Sequence, residues 1–263
     1  MGDSFHVRHQ VKPDFIRTIM RELVEKEISR EELAERIQVQ GYSIGILNEQ
    51  LTRLRKIGLL KKNGLHLTDA GVLCSQILLR QPSLFYELIH FYHYILWDEN
   101  KPELNRFSWT YRTVCKNLWE QPSVRMDTRA LLDRVIADLI QTFPEENDVS
   151  LSTNTINGVL SWLEVLEPKV FVGGVFIRRP FAPPELALLA IQHLYETQKI
   201  EYGELLVLDD KALNDIAVLC LVDYDALSEI LSEAERRFEW FELQKGWGYF
   251  ARLQRPPDLT EGI

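Results

Sequence analysis

The residues best suited to chemistry form a cluster of cations between Gln50 and Thr68. This stretch has no acidic residue, and its lysines and arginines are Arg53, Arg55, Lys56, Lys61 and Lys62. Clustered cations neutralise the phosphates of duplex DNA, while neighbouring hydroxyl and amide groups can meet phosphates or base edges. The sequence therefore predicts a DNA-contacting surface made of Ser43, Asn48, Thr52, Arg53, Arg55, Lys56, Lys61, Lys62 and Asn63.

A second interpretation of the same cluster is a solvated face on a fold that makes protein contacts. Glu49 lies on the predicted contact face, and a carboxylate that faces a phosphate is repelled by it. Both interpretations stay open at the level of the sequence.

Three predicted helices position the cationic cluster. Apolar residues at helical spacing predict a helix from Pro13 to Lys26. Ser29 and Glu32 form an S-x-x-E capping box, which opens a short second helix that continues through Ile37. A third helix is predicted from about Ser43 to Ile57, and its buried stripe consists of Leu47, Leu51 and Leu54.

A short hairpin is predicted directly after the third helix. Asn63 and Gly64 form a two-residue turn signal between the extended runs Leu59–Lys62 and Leu65–Leu67. Thr68 then caps a further helix. Three helices followed by a hairpin are typical of a winged helix-turn-helix.

The stretch IGLLKKNGLHLTDAGVLC, residues 57–74, resembles the wing region of bacterial and archaeal winged-helix regulators. In that family a Gly-Leu-(Ile/Leu) segment precedes the wing, and a Leu-Thr-x-x-Gly segment leads into the next helix. The resemblance covers about residues 13–80. It implies a winged helix-turn-helix whose third helix and wing contact duplex DNA.

The pattern of helices followed by a hairpin recurs twice. Helices are predicted at Asp127–Phe143 and Ser152–Leu166, with a hairpin at Lys169–Arg179. Three more are predicted at Pro184–Gln198, Asp210–Leu221 and Tyr224–Phe241, followed by a hairpin at Phe241–Leu253. The predicted fold class is thus mainly α with small β-hairpin wings, as tandem winged-helix domains joined by an aromatic-rich helical insert. The predicted boundaries are 1–80, 81–124 for the insert, 125–182, 183–256, and a disordered tail at 257–263.

The net charge of -9 is unevenly distributed along the chain. Residues 1–80 carry 13 Lys and Arg against 10 Asp and Glu, whereas residues 183–263 carry 7 against 16. An acidic surface is repelled by a polyanion and a basic one is attracted to it. We therefore expect duplex DNA as the partner of the N-terminal unit, and a protein partner or self-association for the acidic C-terminal unit. The aromatic rings of that unit could form a contact patch or pack its own hairpin: Phe238, Trp240, Phe241, Trp247, Tyr249 and Phe250.

No catalytic, metal or cofactor site is predicted. The sequence contains neither a phosphate-binding Gly-rich loop, nor a G-x-S-x-G elbow, nor an H-E-x-x-H pair. His90 and His93 could face a metal, but a histidine pair in an aromatic helix is more often part of the packing. Because these motifs are missing, the sequence predicts a non-enzymatic protein. The three separated cysteines and the absence of a secretory signal or a long apolar run predict a cytoplasmic protein without membrane contact.

Two functions compete at the level of the sequence. The first is a DNA-binding tandem winged-helix protein, either a transcriptional regulator or a DNA-contacting accessory subunit of a larger prokaryotic complex. The alternative is a non-catalytic scaffold with little DNA affinity, similar to the tandem winged-helix subunits that bind the kleisin partners of chromosome-organising ATPases.

Overall fold

The computed structural model describes residues 4–25, 28–145, 151–246 and 248–259. The chain divides into two compact units, Met1–Asn117 with Asp127–Leu166, and Leu118–Met126 with Glu167–Ile263. The described residues form eleven α-helices and two small antiparallel sheets. None of these helices has the length and apolarity needed to cross a bilayer. The predicted fold class is confirmed in its coarse form, as mainly α with small β elements.

The first unit is helical, and side chains cap its helices as predicted. Ser29 Oγ accepts a hydrogen bond from the Glu32 N–H at 3.0 Å, and Thr68 Oγ1 accepts one from the Gly71 N–H at 3.1 Å. A 3-10 turn, Ile44–Ile46, precedes the third helix. The regular α-helix therefore begins at Leu47 rather than near Ser43. In chain order α1 to α8 are Pro13–Glu25, Arg30–Val39, Leu47–Lys56, Asp69–Arg80, Pro82–Ile95, Arg106–Glu120, Thr128–Thr142 and Thr153–Leu163.

Aromatic rings build much of the core of the first unit. The Phe5 ring meets Trp109 and Phe143 edge to face, with ring centroids 5.7 and 5.0 Å apart. Tyr111 of α6 is fully buried. Edge-to-face pairs add about 0.5–1.5 kcal/mol beyond the burial of their surface. The predicted insert at 81–124 therefore contributes α5 and most of α6 to a core, rather than forming a connection between separate domains.

An N-terminal arm, residues 4–12, crosses the first unit without regular secondary structure. Phe5, Val7 and Val11 of this arm are buried. The Val7 carbonyl lies so close to α8 that a Cβ on Gly158 would be 2.2 Å from its oxygen. Only glycine allows a backbone to approach a helix this closely.

The second unit contains three helices and two small sheets. Its helices α9 to α11 are Pro184–Gln198, Asp210–Cys220 and Tyr224–Arg237. Its strands β1 to β5 are Phe171–Val172, Val175–Phe176, Leu205–Val207, Phe241–Lys245 and Tyr249–Leu253. Strands β1 and β2 pair across Gly173 and Gly174, as predicted. The larger sheet is antiparallel in the order β3-β5-β4, and the sequence pattern did not predict β3.

Residues 118–126 join the second unit through specific hydrogen bonds. Trp119 Nε1 donates to the Val222 carbonyl at 2.8 Å, and the Arg178 guanidinium lies 3.9 Å from the centroid of the Trp119 ring. The Ser123 N–H donates to the Phe176 carbonyl at 2.8 Å. These contacts attach the segment to the β1–β2 hairpin and to the loop before α11.

The structure groups residues 125–182 differently from the predicted domain boundaries. Helices α7 and α8 belong to the first unit, whereas the β1–β2 hairpin belongs to the second. The buried surfaces explain this division, because Phe143 packs against Phe5 and Gly158 against Val7. The described residues of this segment are thus divided between the two units.

The predicted C-terminal tail is only partly covered by the described residues. Leu259 is 1% exposed, so the predicted disorder does not extend over the first part of the segment 257–263. Burial of an apolar side chain is favourable, and it fixes the position of the backbone that carries it. Residues 260–263 lie outside the described ranges, and so does Trp247 of the predicted turn.

We expect Gly158→Ala to destabilise the first unit. The added methyl group would overlap the Val7 carbonyl, and such overpacking costs about 1–3 kcal/mol. The gain in helix propensity, about 1 kcal/mol, offsets only part of this cost. Chemical denaturation measures the difference. Gly45→Ala is the control, because its Cβ would meet nothing closer than Ser43 Oγ at 3.5 Å. Equal stability of both variants would contradict the close approach.

Candidate nucleic-acid interface

One narrow strip of α3 faces solvent. Leu47, Leu51 and Leu54 are buried, which confirms the predicted core stripe. On the opposite side Asn48, Thr52 and Lys56 are exposed. Successive members of this set are four residues apart, so each lies about 6 Å from the next along the helix axis. An amide, a hydroxyl and an ammonium group are thus presented in one line.

Arg53 departs from its predicted place on the contact surface. Its side chain is buried, and its guanidinium lies 4.4 Å from the centroid of the Phe107 ring. Arg53 Nη2 also donates to the His6 carbonyl at 3.4 Å. The helical pattern placed Arg53 on the exposed face opposite the leucine stripe. The aromatic ring and the carbonyl that cover it come from distant parts of the sequence.

The N-terminal arm covers the flank of α3 next to Arg53. Gln50 Nε2 donates to the Gln10 carbonyl at 2.8 Å, and the Lys12 N–H donates to Gln50 Oε1 at 3.2 Å. Arg8 forms an ion pair with Glu49 at 2.7 Å. The sequence indicated that the Glu49 carboxylate would repel phosphate, and in the structure this carboxylate is paired with a cation. The Arg8 side chain is 63% exposed, so its charge remains at the surface.

The predicted wing is a loop closed by few backbone contacts. Leu60 and Leu67 form an isolated antiparallel bridge, and the Lys61 N–H donates to the His66 carbonyl at 2.9 Å. This register centres the turn on Asn63 and Gly64, as predicted, although the flanking strands are not regular.

Arg55 and the tip of the wing are joined by a hydrogen bond. Arg55 is half-buried, and its Nη2 donates to the Gly64 carbonyl at 2.9 Å. The bond holds the wing against the end of α3. Lys61, Lys62 and Asn63 remain exposed beside it.

Arg30 is a further cation beside α3 that the sequence did not point to. It lies at the start of α2, and its Nη2 donates to Asn48 Oδ1. Ser43 is exposed before the 3-10 turn that leads into α3. We call the exposed cations around α3 and the wing the basic strip, which consists of Arg8, Arg30, Lys56, Lys61 and Lys62. Arg8 and Arg30 were missed because their neighbours on α3 are far away in the sequence.

His90 and His93 are packed inside the aromatic core. His90 Nδ1 lies 2.9 Å from the Tyr111 hydroxyl. His93 donates from Nδ1 to the Ile89 carbonyl at 2.8 Å and stacks on Tyr111, with ring centroids 5.1 Å apart. Among the described residues, no group of three or more His, Cys, Asp or Glu side chains is placed to hold a metal.

The buried environment suppresses ionisation in this core. Burial, followed by the nearby charge of Arg53, lowers the pKa of His93 well below its usual 6.5. Burial likewise raises the pKa values of the Cys74 and Cys115 thiols. At neutral pH these groups are uncharged, which suits a packing role.

Comparison of the chain with protein-family models, with curated proteins and with solved structures finds no match.

We expect protein stability to fall as the pH is lowered from about 7.5 to 5, partly through His93. The folded-state pKa is depressed, so below 6.5 the unfolded chain binds a proton that the folded chain does not. This linkage lowers the free energy of unfolding by up to about 1.4 kcal/mol per pH unit. His93→Phe keeps a ring at this position and should flatten the pH dependence seen in denaturant titrations. The exposed His9 provides the control as His9→Gln; identical slopes for both variants would contradict the prediction.

Proposed function

We propose that the chain is a DNA-binding protein with tandem winged-helix units, which acts as a transcriptional regulator or as the DNA-contacting subunit of a larger prokaryotic complex. The observation that carries this proposal is the exposed line of Asn48, Thr52 and Lys56 beside the lysines of the wing. The ten residues of α3 span about 15 Å, and the major groove, about 12 Å wide, admits a helix.

The charges around α3 support contact with phosphates. Five exposed cations form the basic strip, and the carboxylate on α3 is paired with one of them, Arg8. Cations arranged in this way follow a phosphate backbone, and their contacts release condensed counterions.

The polar groups of α3 favour some DNA contacts over others. The Arg30 guanidinium donates a hydrogen bond to the side-chain oxygen of Asn48. The groups that this pair still presents to a ligand are therefore N–H donors. Asparagine needs both its carbonyl and its amide to pair with adenine, whereas donors alone suit phosphate oxygens or the acceptor edge of guanine. We therefore propose that Asn48 and Arg30 contact acceptors, with Arg53 excluded from the interface.

The element order of the second unit supports a winged-helix interpretation there as well. After the β1–β2 hairpin it runs α9, β3, α10, α11, β4, β5, and the three-stranded sheet is antiparallel in the order β3-β5-β4. This order is typical of winged-helix domains. The acidic charge of this unit argues against DNA contact, so we propose that it binds a protein partner or a second copy of the chain.

The scaffold remains the second candidate function, in a cytoplasmic protein that lacks enzyme activity. It is favoured by the excess of 16 Asp and Glu over 7 Lys and Arg in residues 183–263. Under this hypothesis the exposed cations of the first unit contact protein, and duplex DNA binds weakly or not at all.

Replacing three lysines of the basic strip should weaken DNA binding. A Lys56→Gln, Lys61→Gln, Lys62→Gln variant removes up to three phosphate contacts. The slope of log affinity against log salt should then decrease by about 2–3. Fluorescence anisotropy with a short duplex at several salt concentrations measures this slope.

The matched control removes the same charge from the second unit through Lys199→Gln, Lys211→Gln and Lys245→Gln. All three lysines are exposed, and the control should retain the wild-type slope. Equal losses in both variants would contradict the assigned surface. Failure of the wild-type protein to bind any duplex would favour the scaffold.

Glu49→Gln should strengthen DNA binding. The change removes the carboxylate of α3 and releases Arg8 from its ion pair. A like charge about 4 Å from a phosphate costs about 1 kcal/mol in water, which corresponds to about fivefold in affinity at low salt. The same anisotropy titration measures the effect. Glu35→Gln makes an equal charge change on an exposed position of α2 and should have a smaller effect. A weaker complex with Glu49→Gln would place the DNA elsewhere.

A further inference from the structure

The strand β3 of the second unit is an exposed, aliphatic sheet edge. It pairs with β5 on one side, and no strand within the described ranges pairs with its other side. Leu206 is buried, whereas the residues Leu205 and Val207 are 39% and 54% exposed. Two adjacent aliphatic side chains on one open edge form a template for another strand.

The register fixes which backbone groups point outward from β3. The Leu208 N–H donates to the Tyr249 carbonyl at 2.8 Å, so this residue faces β5. Because hydrogen bonding alternates along an antiparallel strand, Leu206 also faces β5, opposite Ala251. Leu205 and Val207 therefore direct their N–H and C=O groups away from the sheet.

The opposite edge of the same sheet is protected. The outward N–H of Leu243 in β4 donates to Glu235 Oε1 at 2.7 Å, and the strand also carries Glu242 and Lys245. Charges and satisfied backbone groups are common ways of preventing unwanted pairing. Strand β3 itself has no charged residue, proline or bulge.

The residues flanking β3 indicate the charge of its partner. Between residues 196 and 211 the cations are Lys199 and Lys211, and Lys211 is paired with Asp215 at 2.9 Å. The carboxylates of this segment are exposed at both ends of the strand: Glu196, Glu201, Glu204, Asp209 and Asp210. An incoming segment with cations at its ends would complement them.

A second copy of the chain fits this edge poorly. Pairing two β3 strands would bring the same acidic segment together from both copies, including the exposed Glu204 and Asp209. Like charges at an interface oppose association. The buried state of Phe238, Trp240 and Phe241 also removes three of the six rings of the predicted aromatic patch from the surface.

We propose that the outer edge of β3 is the docking site for an extended segment of a partner protein, with alternating aliphatic residues flanked by lysine or arginine. The segment would add a strand to the sheet through the backbone groups of Leu205 and Val207. Main-chain hydrogen bonds supply affinity in this mode, and side-chain contacts supply specificity. This inference rests on the partner-binding role proposed for the second unit.

The test uses the full chain and a synthetic peptide in which valine and threonine alternate between lysine pairs. Calorimetry or anisotropy should show saturable binding with a Kd below about 1 mM. Val207→Pro removes one outward N–H while leaving the side toward β5 intact, a position where edge strands tolerate proline. It should weaken binding about tenfold or more, because a partner carbonyl loses its donor. Val207→Thr, which keeps the N–H and the branched shape, should bind as the wild type does.

Two altered peptides test the same site without changing the protein. N-methylation of alternate amides should abolish binding by blocking the new ladder, and glutamates in place of the lysines should abolish it by charge repulsion. Absence of binding by the unmodified peptide, or binding that Val207→Pro leaves unchanged, would overturn the proposal. A concentration-dependent dimer that Val207→Pro dissolves would replace the partner segment with a second copy.

DNA binding separates this inference from the proposed function. Val207→Pro should retain the duplex affinity of the wild type, because the basic strip belongs to the first unit. Peptide binding without DNA binding would support the docking site and refute the DNA proposal. DNA binding without peptide binding would do the reverse.

Discussion

The close approach of the Val7 carbonyl to Gly158 is the constraint on which the exposed surface of the first unit depends. It fixes the course of the N-terminal arm, which then reaches α3 through the Gln10 carbonyl and Arg8. The arm covers one flank of α3 and leaves the neighbouring strip of Asn48, Thr52 and Lys56 exposed. The contact between the Val7 carbonyl and Gly158 of α8 thus influences which side chains of α3 are exposed to a ligand.

The distribution of charge matters more than its total. A net charge of -9 would suggest repulsion from DNA, but exposed charges are largely screened beyond about 8 Å at physiological ionic strength. An approaching polyanion therefore responds mainly to the charges near its point of contact. The strip around α3 offers cations there, and the carboxylates of the second unit can meet a different kind of ligand.

Local features of the structure could be predicted from the sequence. The spacing of apolar residues gave α9 its observed bounds, and Ser29 and Thr68 were recognised as caps because their partners lie three residues away. The turn at Asn63 and Gly64 also depends on adjacent residues. Each of these features is decided within one or two helical turns of chain.

Features that depend on distant residues could not be predicted in this way. The burial of Arg53 requires Phe107, and the course of the arm requires Gly158. Strand β3 is too short to show an alternating pattern. It forms because it pairs with β5, which is distant from it in the sequence. Most of the predicted contact residues are exposed, as polar residues on a helix usually are. The error at Arg53 arose where an aromatic ring covered one of them.

The hydrogen bond from the Leu243 N–H to Glu235 has a consequence for assembly. The carboxylate takes the place of a neighbouring strand, so the sheet of the second unit can be extended in one direction only. A sheet with two open edges can pass its pairing from molecule to molecule and grow into a fibre. With β4 closed in this way, a segment that pairs with β3 would not be followed by another molecule pairing at the second edge of this sheet.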